Sequence, residues 1–152
     1  MTYNYLLMVH SWLRWAFLIA ALFAIIRSLN GKFGNKPFGK EDNTAATILI
    51  ALTHTMLLLG IILWFVSPNV QNALAQGAGV FMKDKYMRLI VIEHPLTNII
   101  AVALIQIGRI KSKKAYEDAV KHSRSLMYYG LGLLLILSRI PWGSSPLFRG
   151  ME

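Results

Sequence analysis

The chain is strongly apolar and lacks cysteine, and these two properties exclude several classes of protein. It has 152 residues, of which 55% are hydrophobic and 15% are charged, with a formal net charge of +9. A soluble domain of this size is less apolar and carries more charge. Without cysteine, the chain can form neither a disulfide nor a thiolate metal site.

Four apolar stretches follow one another along the chain. A helix needs about 20 apolar residues to cross a bilayer. The sequence predicts helices at about 4–29, 44–66, 84–110 and 121–140, joined by short connections. The first stretch has no basic region before it and is too long for a cleavable signal, so we expect a retained helix. We predict a single transmembrane four-helix domain over residues 1–152.

Basic residues are divided unevenly between the two predicted ends of these helices. Ten lie in the first and third connections, and five lie at the opposite end. Because Lys and Arg are enriched in cytoplasmic connections, both termini should face outward. The placement also argues against nucleic acid as a partner. We predict an all-α, integral-membrane, up-down four-helix bundle. The cytoplasmic group is Arg27, Lys32, Lys36, Lys40, Arg109, Lys111, Lys113, Lys114, Lys121 and Arg124, and the outer group is Lys83, Lys85, Arg88, Arg139 and Arg149.

Two histidines fall at similar predicted depths near the outer face. His10 belongs to the first helix and His94 to the third, and these helices lie diagonally in an up-down bundle. Side chains on facing helices form the cofactor sites of such bundles. A b-type haem fits this pattern, with one histidine on each side of the porphyrin. Arg14, one turn from His10, and Arg139 could pair with the two propionates.

The stretch 89–100, LIVIEHPLTNII, places a glutamate beside one of these histidines. Consecutive helix residues point about 100° apart, so Glu93 should not orient His94 directly. We expect it to pair with Arg14 or Arg139, or to remain protonated. Pro95 lacks an N–H and should free the carbonyl of Val91, which predicts a kink at the histidine. Asn98, four residues after His94, could support the same face.

A third histidine keeps a second kind of site open. His54 lies near the middle of the second helix, and if it faces inward, His10, His54 and His94 could surround one zinc, copper or iron ion. His54 could instead replace one of the two haem ligands. His122, at the inner edge of the fourth helix among basic residues, is interpreted as interfacial.

Four segments of the chain resemble a family of short bacterial inner-membrane proteins labelled cytochrome b. They are residues 10–15 (HSWLRW), 53–68 (THTMLLLGIILWFVSP), 91–109 (VIEHPLTNIIAVALIQIGR) and 134–142 (LLILSRIPW). The resemblance implies a multi-pass protein of the bacterial inner membrane with haem b as cofactor. It carries over the histidines His10, His54 and His94, and the ionisable residues Arg14, Glu93 and Arg139 lie in the same motifs.

These observations support three hypotheses. The first is a membrane-embedded haem-b electron carrier or a small subunit of a respiratory assembly, with quinol as a candidate donor and a partner protein needed to complete transfer. The second is a membrane enzyme or metal-handling protein with a three-histidine metal site. The third is a structural subunit of a respiratory complex, in which polar residues join helices. A homo-oligomer is compatible with all three, and the sequence indicates no catalytic residue.

Overall fold

The computed structural model describes residues 2–143, and within them the chain is helical and contains no strand. The all-α prediction is therefore confirmed for this part of the chain. Arg149, assigned above to the outer group, lies outside the described residues. The helices are α1 (Thr2–Phe33), α2 (Lys40–Val66), α3 (Pro68–Gln76), α4 (Ala78–Phe81), α5 (Lys85–Arg88), a π-helical segment (Leu89–Glu93), α6 (His94–Lys114) and α7 (Asp118–Ser138).

Three of the described helical stretches are long and apolar enough to cross a membrane. They are Thr2–Phe33, Lys40–Val66 and the continuous stretch Lys85–Lys114. The protein is thus a helical membrane protein by length and composition. α7 covers the fourth predicted helix but is less apolar, since its first two turns contain Lys121, His122 and Arg124.

The long helices extend beyond the apolar runs that predicted them. α1 continues to Phe33 and α6 to Lys114, so the basic residues at these ends are helical rather than part of the connections. α2 begins at Lys40 because Asp42 caps it: its carboxylate accepts a hydrogen bond of 2.8 Å from the backbone N–H of Gly39. Apolar content locates the membrane segment, whereas capping determines the end of the helix.

Each long helix contacts two of the other three. α1 packs against α2 and α7, and α6 packs against α7 and α2. α1 therefore lies diagonally across from α6. Small residues allow close approach: a Cβ atom added at Gly132 on α7 would collide with the side chain of Ile105 on α6. The space beside Gly132 is thus occupied by α6 and is not available to a cofactor.

One end of the molecule is closed by polar contacts among the basic connections. Arg27 forms ion pairs of 2.8 Å with both Asp42 and Glu41, joining α1 to α2. His122 is only 1% exposed, and its Nε2–H donates a 3.1 Å hydrogen bond to the carbonyl of Lys36. His122 therefore lies at the basic end of the helices, as expected, but it is enclosed by protein atoms there. Its ring packs directly against Gly31 of α1, so His122 fixes the connection between α1 and α2.

The opposite end is covered by the segment between α2 and α6. The sequence predicted a connection at residues 67–83, and the structure forms α3 and α4 there. α5 and the π-helical segment fall within the predicted third helix. Ser67 caps α3, and Val70, Ala73 and Phe81 pack with Val91 in a small apolar cluster. This cluster lies beside the ends of the long helices that carry the candidate site.

Candidate cofactor-binding cavity

A cavity of about 720 Å³ opens among the ends of the long helices on the side covered by α3–α5. His10 and Arg14 reach it from α1, Gly60 and Trp64 from α2, and His94 from α6. Its volume lies within the range of about 300–1,000 Å³ that is usual for ligand pockets. Most of the remaining lining is aliphatic. The structure therefore brings the two predicted histidines to one cavity.

His10 has an unsatisfied nitrogen beside this cavity. Its Nδ1 atom is buried and has no hydrogen-bond partner among the described residues. The ring lies next to α2 at a glycine: a Cβ atom added at Gly60 would be 3.5 Å from Cε1 of His10. Buried polar atoms are nearly always hydrogen-bonded, so an exception needs an explanation. Nδ1 of His122, which does not line the cavity, also lacks a partner, so the position of the His10 ring at the cavity wall is what makes it a candidate ligand.

His94 is held in a defined tautomer. Its Nδ1 lies 2.7 Å from the backbone carbonyl of Arg139, which can only accept, so Nδ1 carries the proton. Nε2 is then the unprotonated nitrogen, and the amide of Asn98 lies 3.2 Å from it. Metal-binding histidines commonly donate their second N–H to a carbonyl in this way. Nε2 is thus the nitrogen of His94 with a lone pair, and a ligand bound to it would replace the contact with Asn98.

The helix is irregular immediately before this histidine. Residues Leu89–Glu93 form a π-helical segment, and the N–H of His94 bonds to the carbonyl of Leu89, five residues earlier. The indole N–H of Trp64 donates a 3.0 Å hydrogen bond to the carbonyl of Val91. Pro95 cannot supply that N–H, so the predicted freeing of the Val91 carbonyl is consistent with this contact. π-helical segments of this kind are frequent at functional sites.

Glu93 is paired with two arginines at the edge of the site. Its carboxylate lies 2.7 Å from Nε of Arg88 and 3.5 Å from Nε of Arg139. The pair with Arg139 was one of those expected, whereas Arg88 was missed and Arg14 lines the cavity instead. The sequence carried no signal for this pair, because a separation of five residues brings Arg88 and Glu93 together only where the helix is π-helical.

The two arginines proposed for the propionates have different environments. Arg14 lines the cavity and is 7% exposed, and its guanidinium carbon lies 5.5 Å from the ring centres of both Trp15 and Trp142. These cation–π contacts hold the charge at the cavity wall. The guanidinium of Arg139 is instead turned to Glu93, and this residue contributes through its backbone carbonyl to His94. Nothing in the sequence indicated that Trp142 contacts Arg14.

His54 does not face inward. It lies on the exposed side of α2, while its neighbour Thr53 is 2% exposed and lines the cavity. Consecutive residues differ by about 100° around the helix, and of these two it is Thr53 that faces the cavity. Within residues 2–143 no cluster of three metal-binding side chains is formed. His10, His54 and His94 are therefore not brought together in this structure.

The residues at the cavity fit the requirements of a haem b group. Two imidazoles reach it from diagonal helices, most of the walls are apolar, and Arg14 is a buried cation that would suit a propionate. Asn98 and the carbonyl of Arg139 define the hydrogen-bonding state of one imidazole. These properties define the class of the protein as a helical membrane protein with a histidine-lined apolar cavity.

Comparisons with protein-family models, with curated proteins and with solved structures find no match to this chain.

Proposed function

We propose that the cavity binds haem b between His10 and His94, and that the protein is a membrane-embedded electron carrier. The observation that carries the proposal is the pair of histidines at one cavity, one with an unsatisfied buried nitrogen and one with a fixed tautomer. Haem bound there would supply a one-electron iron couple. The protein would supply the ligands, the orientation and the exclusion of water.

Each residue of the site has a separate role in this proposal. His94 offers Nε2 as a ligand because its Nδ1–H is directed to the carbonyl of Arg139. His10 is the ligand from the diagonal helix. Arg14, held between two tryptophans, pairs with a propionate, which would otherwise carry its charge into an apolar site. Glu93 acts indirectly, since its ion pairs hold the end of α7 that provides the carbonyl.

A bare metal ion is a weaker candidate for this cavity. A zinc or copper site with three nitrogens needs a third ligand, and His54 lies on the outer face of α2. The two histidines at the cavity leave too few protein ligands for a closed structural site. Haem supplies four nitrogens of its own, so two histidines complete its coordination.

In the membrane, the protein is a four-helix bundle of the bacterial inner membrane with both termini outside. The unequal distribution of basic residues supports this orientation, which puts the cavity near the outer face. A cofactor at one face cannot alone carry electrons across the bilayer. Quinol is the candidate donor, and a respiratory partner protein receives the electron.

The test is haem loading of matched histidine variants. The wild type and three variants, His10→Ala, His94→Ala and His54→Ala, would be expressed with ample haem and purified in detergent. Haem per chain would be measured by the pyridine haemochrome assay. We expect His10→Ala and His94→Ala to lose most of the bound haem, and His54→Ala, the exposed control, to retain it.

The opposite pattern would overturn the assignment. Loss of haem in His54→Ala with retention in His10→Ala would mean that a different pair of histidines holds the group. Equal loading of all four proteins would show that haem associates non-specifically with the apolar surface. Helical content measured by circular dichroism would distinguish loss of the ligand from loss of the fold.

A further inference from the structure

We infer that α2 is the contact surface of a homodimer in the membrane, with the outward-facing His54 hydrogen-bonded to a second copy of this chain. His54 lies in the middle of the most apolar of the candidate spans. At 1.5 Å per residue it is about 21 Å from Lys40 and about 18 Å from Val66, the two ends of α2. It is therefore close to the centre of a hydrocarbon layer about 30 Å thick.

This position is unfavourable for an isolated molecule. Ionisable side chains within membrane helices almost always face the interior of a bundle or a water-filled cavity, and they pair there. His54 is exposed and has no hydrogen bond or ion pair with any residue of the part of the chain that the structure describes. It is also too far from either end of α2 to reach the headgroup region. Another protein surface is the remaining source of a partner.

The surface next to His54 is shaped for a second helix. Thr47, Ala51 and Thr55 recur every four residues on the exposed side of α2 and form a stripe of small side chains. Such stripes allow the backbones of membrane helices to approach closely. The hydroxyls of Thr47 and Thr55 each donate a 2.8 Å hydrogen bond to the carbonyl four residues earlier, so neither is left as an unpaired donor. They retain lone pairs that can accept from outside.

This face of α2 carries both a hydrogen-bond donor and an acceptor for it, which points to a second copy of the chain as the partner. In a parallel two-fold dimer, residues at equal depth meet. A residue on one side of the contact line then faces, in the second copy, a residue that lies on the other side of that line. With the contact centred on Ala51, His54 and Thr55 lie on opposite sides of that line. The imidazole N–H of His54 can then donate to the hydroxyl oxygen of Thr55 in the second copy, and the symmetry makes this bond twice.

The test uses the absence of cysteine from the chain. Single cysteines would be placed by Ala51→Cys and Leu58→Cys on the exposed side of α2, with Ala103→Cys on the exposed side of α6 as the matched control. Native membranes would be oxidised with copper phenanthroline, and the molecular mass of the products would be measured. We expect a product of twice the chain mass for the two α2 variants and none for Ala103→Cys.

A second measurement separates close packing from the hydrogen bonds. In lipid nanodiscs, Ala51→Leu should abolish the dimer, and His54→Leu should weaken it roughly eightfold. Ala103→Leu should leave it unchanged, and haem content should be unaffected in all three, which keeps this inference independent of the proposed cofactor. A wild-type protein that is monomeric in lipid, cross-linking at Ala103 instead of Ala51, or cross-linking of Ala51 to a different protein would overturn the inference.

Discussion

Two histidines lie at opposite ends of the molecule, with His94 half-buried and His122 fully buried, and they make different contacts. His94 donates Nδ1–H to a carbonyl and has an unprotonated Nε2 at the cavity, whereas His122 donates Nε2–H to the carbonyl of Lys36 within a closed pocket of protein atoms. A pattern of apolar residues does not distinguish these cases. The difference depends on what fills the opposite side of each ring, which is a cavity for His94 and a helix backbone for His122.

The fit of His122 against α1 gives a stability prediction. A Cβ atom added at Gly31 would overlap its ring, which is fixed by hydrogen bonding and burial. We expect Gly31→Ala to lower the free energy of unfolding by about 1–3 kcal/mol, the usual cost of overpacking. Equilibrium unfolding in mixed SDS micelles would measure it.

The control for this prediction is another helical glycine. A Cβ atom at Gly130 on α7 would have no neighbour within 4 Å, so Gly130→Ala should change stability by no more than about 1 kcal/mol. Replacing the ring in the double variant Gly31→Ala/His122→Ala should reduce the penalty of the alanine at 31. Equal effects of Gly31→Ala and Gly130→Ala would contradict close packing of the His122 ring against Gly31.

Ion pairing at Glu93 shows how far sequence reasoning can reach at this scale. The sequence left three states open for this carboxyl group, namely a pair with Arg14, a pair with Arg139 or the protonated form, and the structure contains the pair with Arg139. It could not rank the arginines, because the distance between Arg88 and Glu93 depends on a π-helical turn. A regular α-helix would have directed the two side chains to different faces.

At the level of elements, the existence of the helices was predictable, but the side of each helix that faces the interior of the bundle was not. α2 is apolar all around, so its hydrophobic pattern has no preferred side. The choice between Thr53 and His54 as the residue facing the cavity therefore could not be made from periodicity. It is determined by packing against α1 and α6, which a single sequence does not contain.

The π-helical segment is stabilised by a contact from another helix. The indole N–H of Trp64 satisfies the Val91 carbonyl, which the imino nitrogen of Pro95 cannot do. We expect Trp64→Phe to cost about 1–3 kcal/mol, because it leaves a buried acceptor without a donor. Pro95→Ala provides a backbone N–H at the position from which an α-helix would satisfy that carbonyl.

A double-mutant cycle tests this explanation. Trp64→Phe should cost less in the Pro95→Ala background than in the wild type, since the carbonyl then has a second donor available. Unfolding in mixed SDS micelles gives the four free energies. Additive effects of the two substitutions would show that Trp64 stabilises the helix through ring packing alone, and that the hydrogen bond to Val91 is unimportant.

At the scale of the whole molecule, the charge distribution predicts an orientation. Most basic residues lie at the end closed by the Arg27 ion pairs and His122, and the cavity lies at the other end. The rule that cytoplasmic connections are basic then places the cavity near the outer face. The sequence alone provided this prediction because it depends on counts of Lys and Arg rather than on packing.

Single cysteines test that orientation. Tyr116→Cys lies in the fully exposed connection between α6 and α7, and Ala75→Cys lies on the exposed side of α3. In intact spheroplasts, a membrane-impermeant maleimide should label Ala75→Cys and leave Tyr116→Cys unlabelled until the membrane is permeabilised. The reverse pattern would place the cavity at the cytoplasmic face and would remove the argument for an outer donor.

Binding of haem in the cavity between His10 and His94 can be tested by the absorption spectrum of the purified wild-type protein, oxidised and then reduced with dithionite, with iron, zinc and copper analysis of the same sample. We expect a sharp Soret band, a reduced α band and iron equal to haem. A colourless protein after expression with ample haem would contradict it. Stoichiometric zinc or copper would then favour a metal site, and absence of any metal would favour a structural subunit.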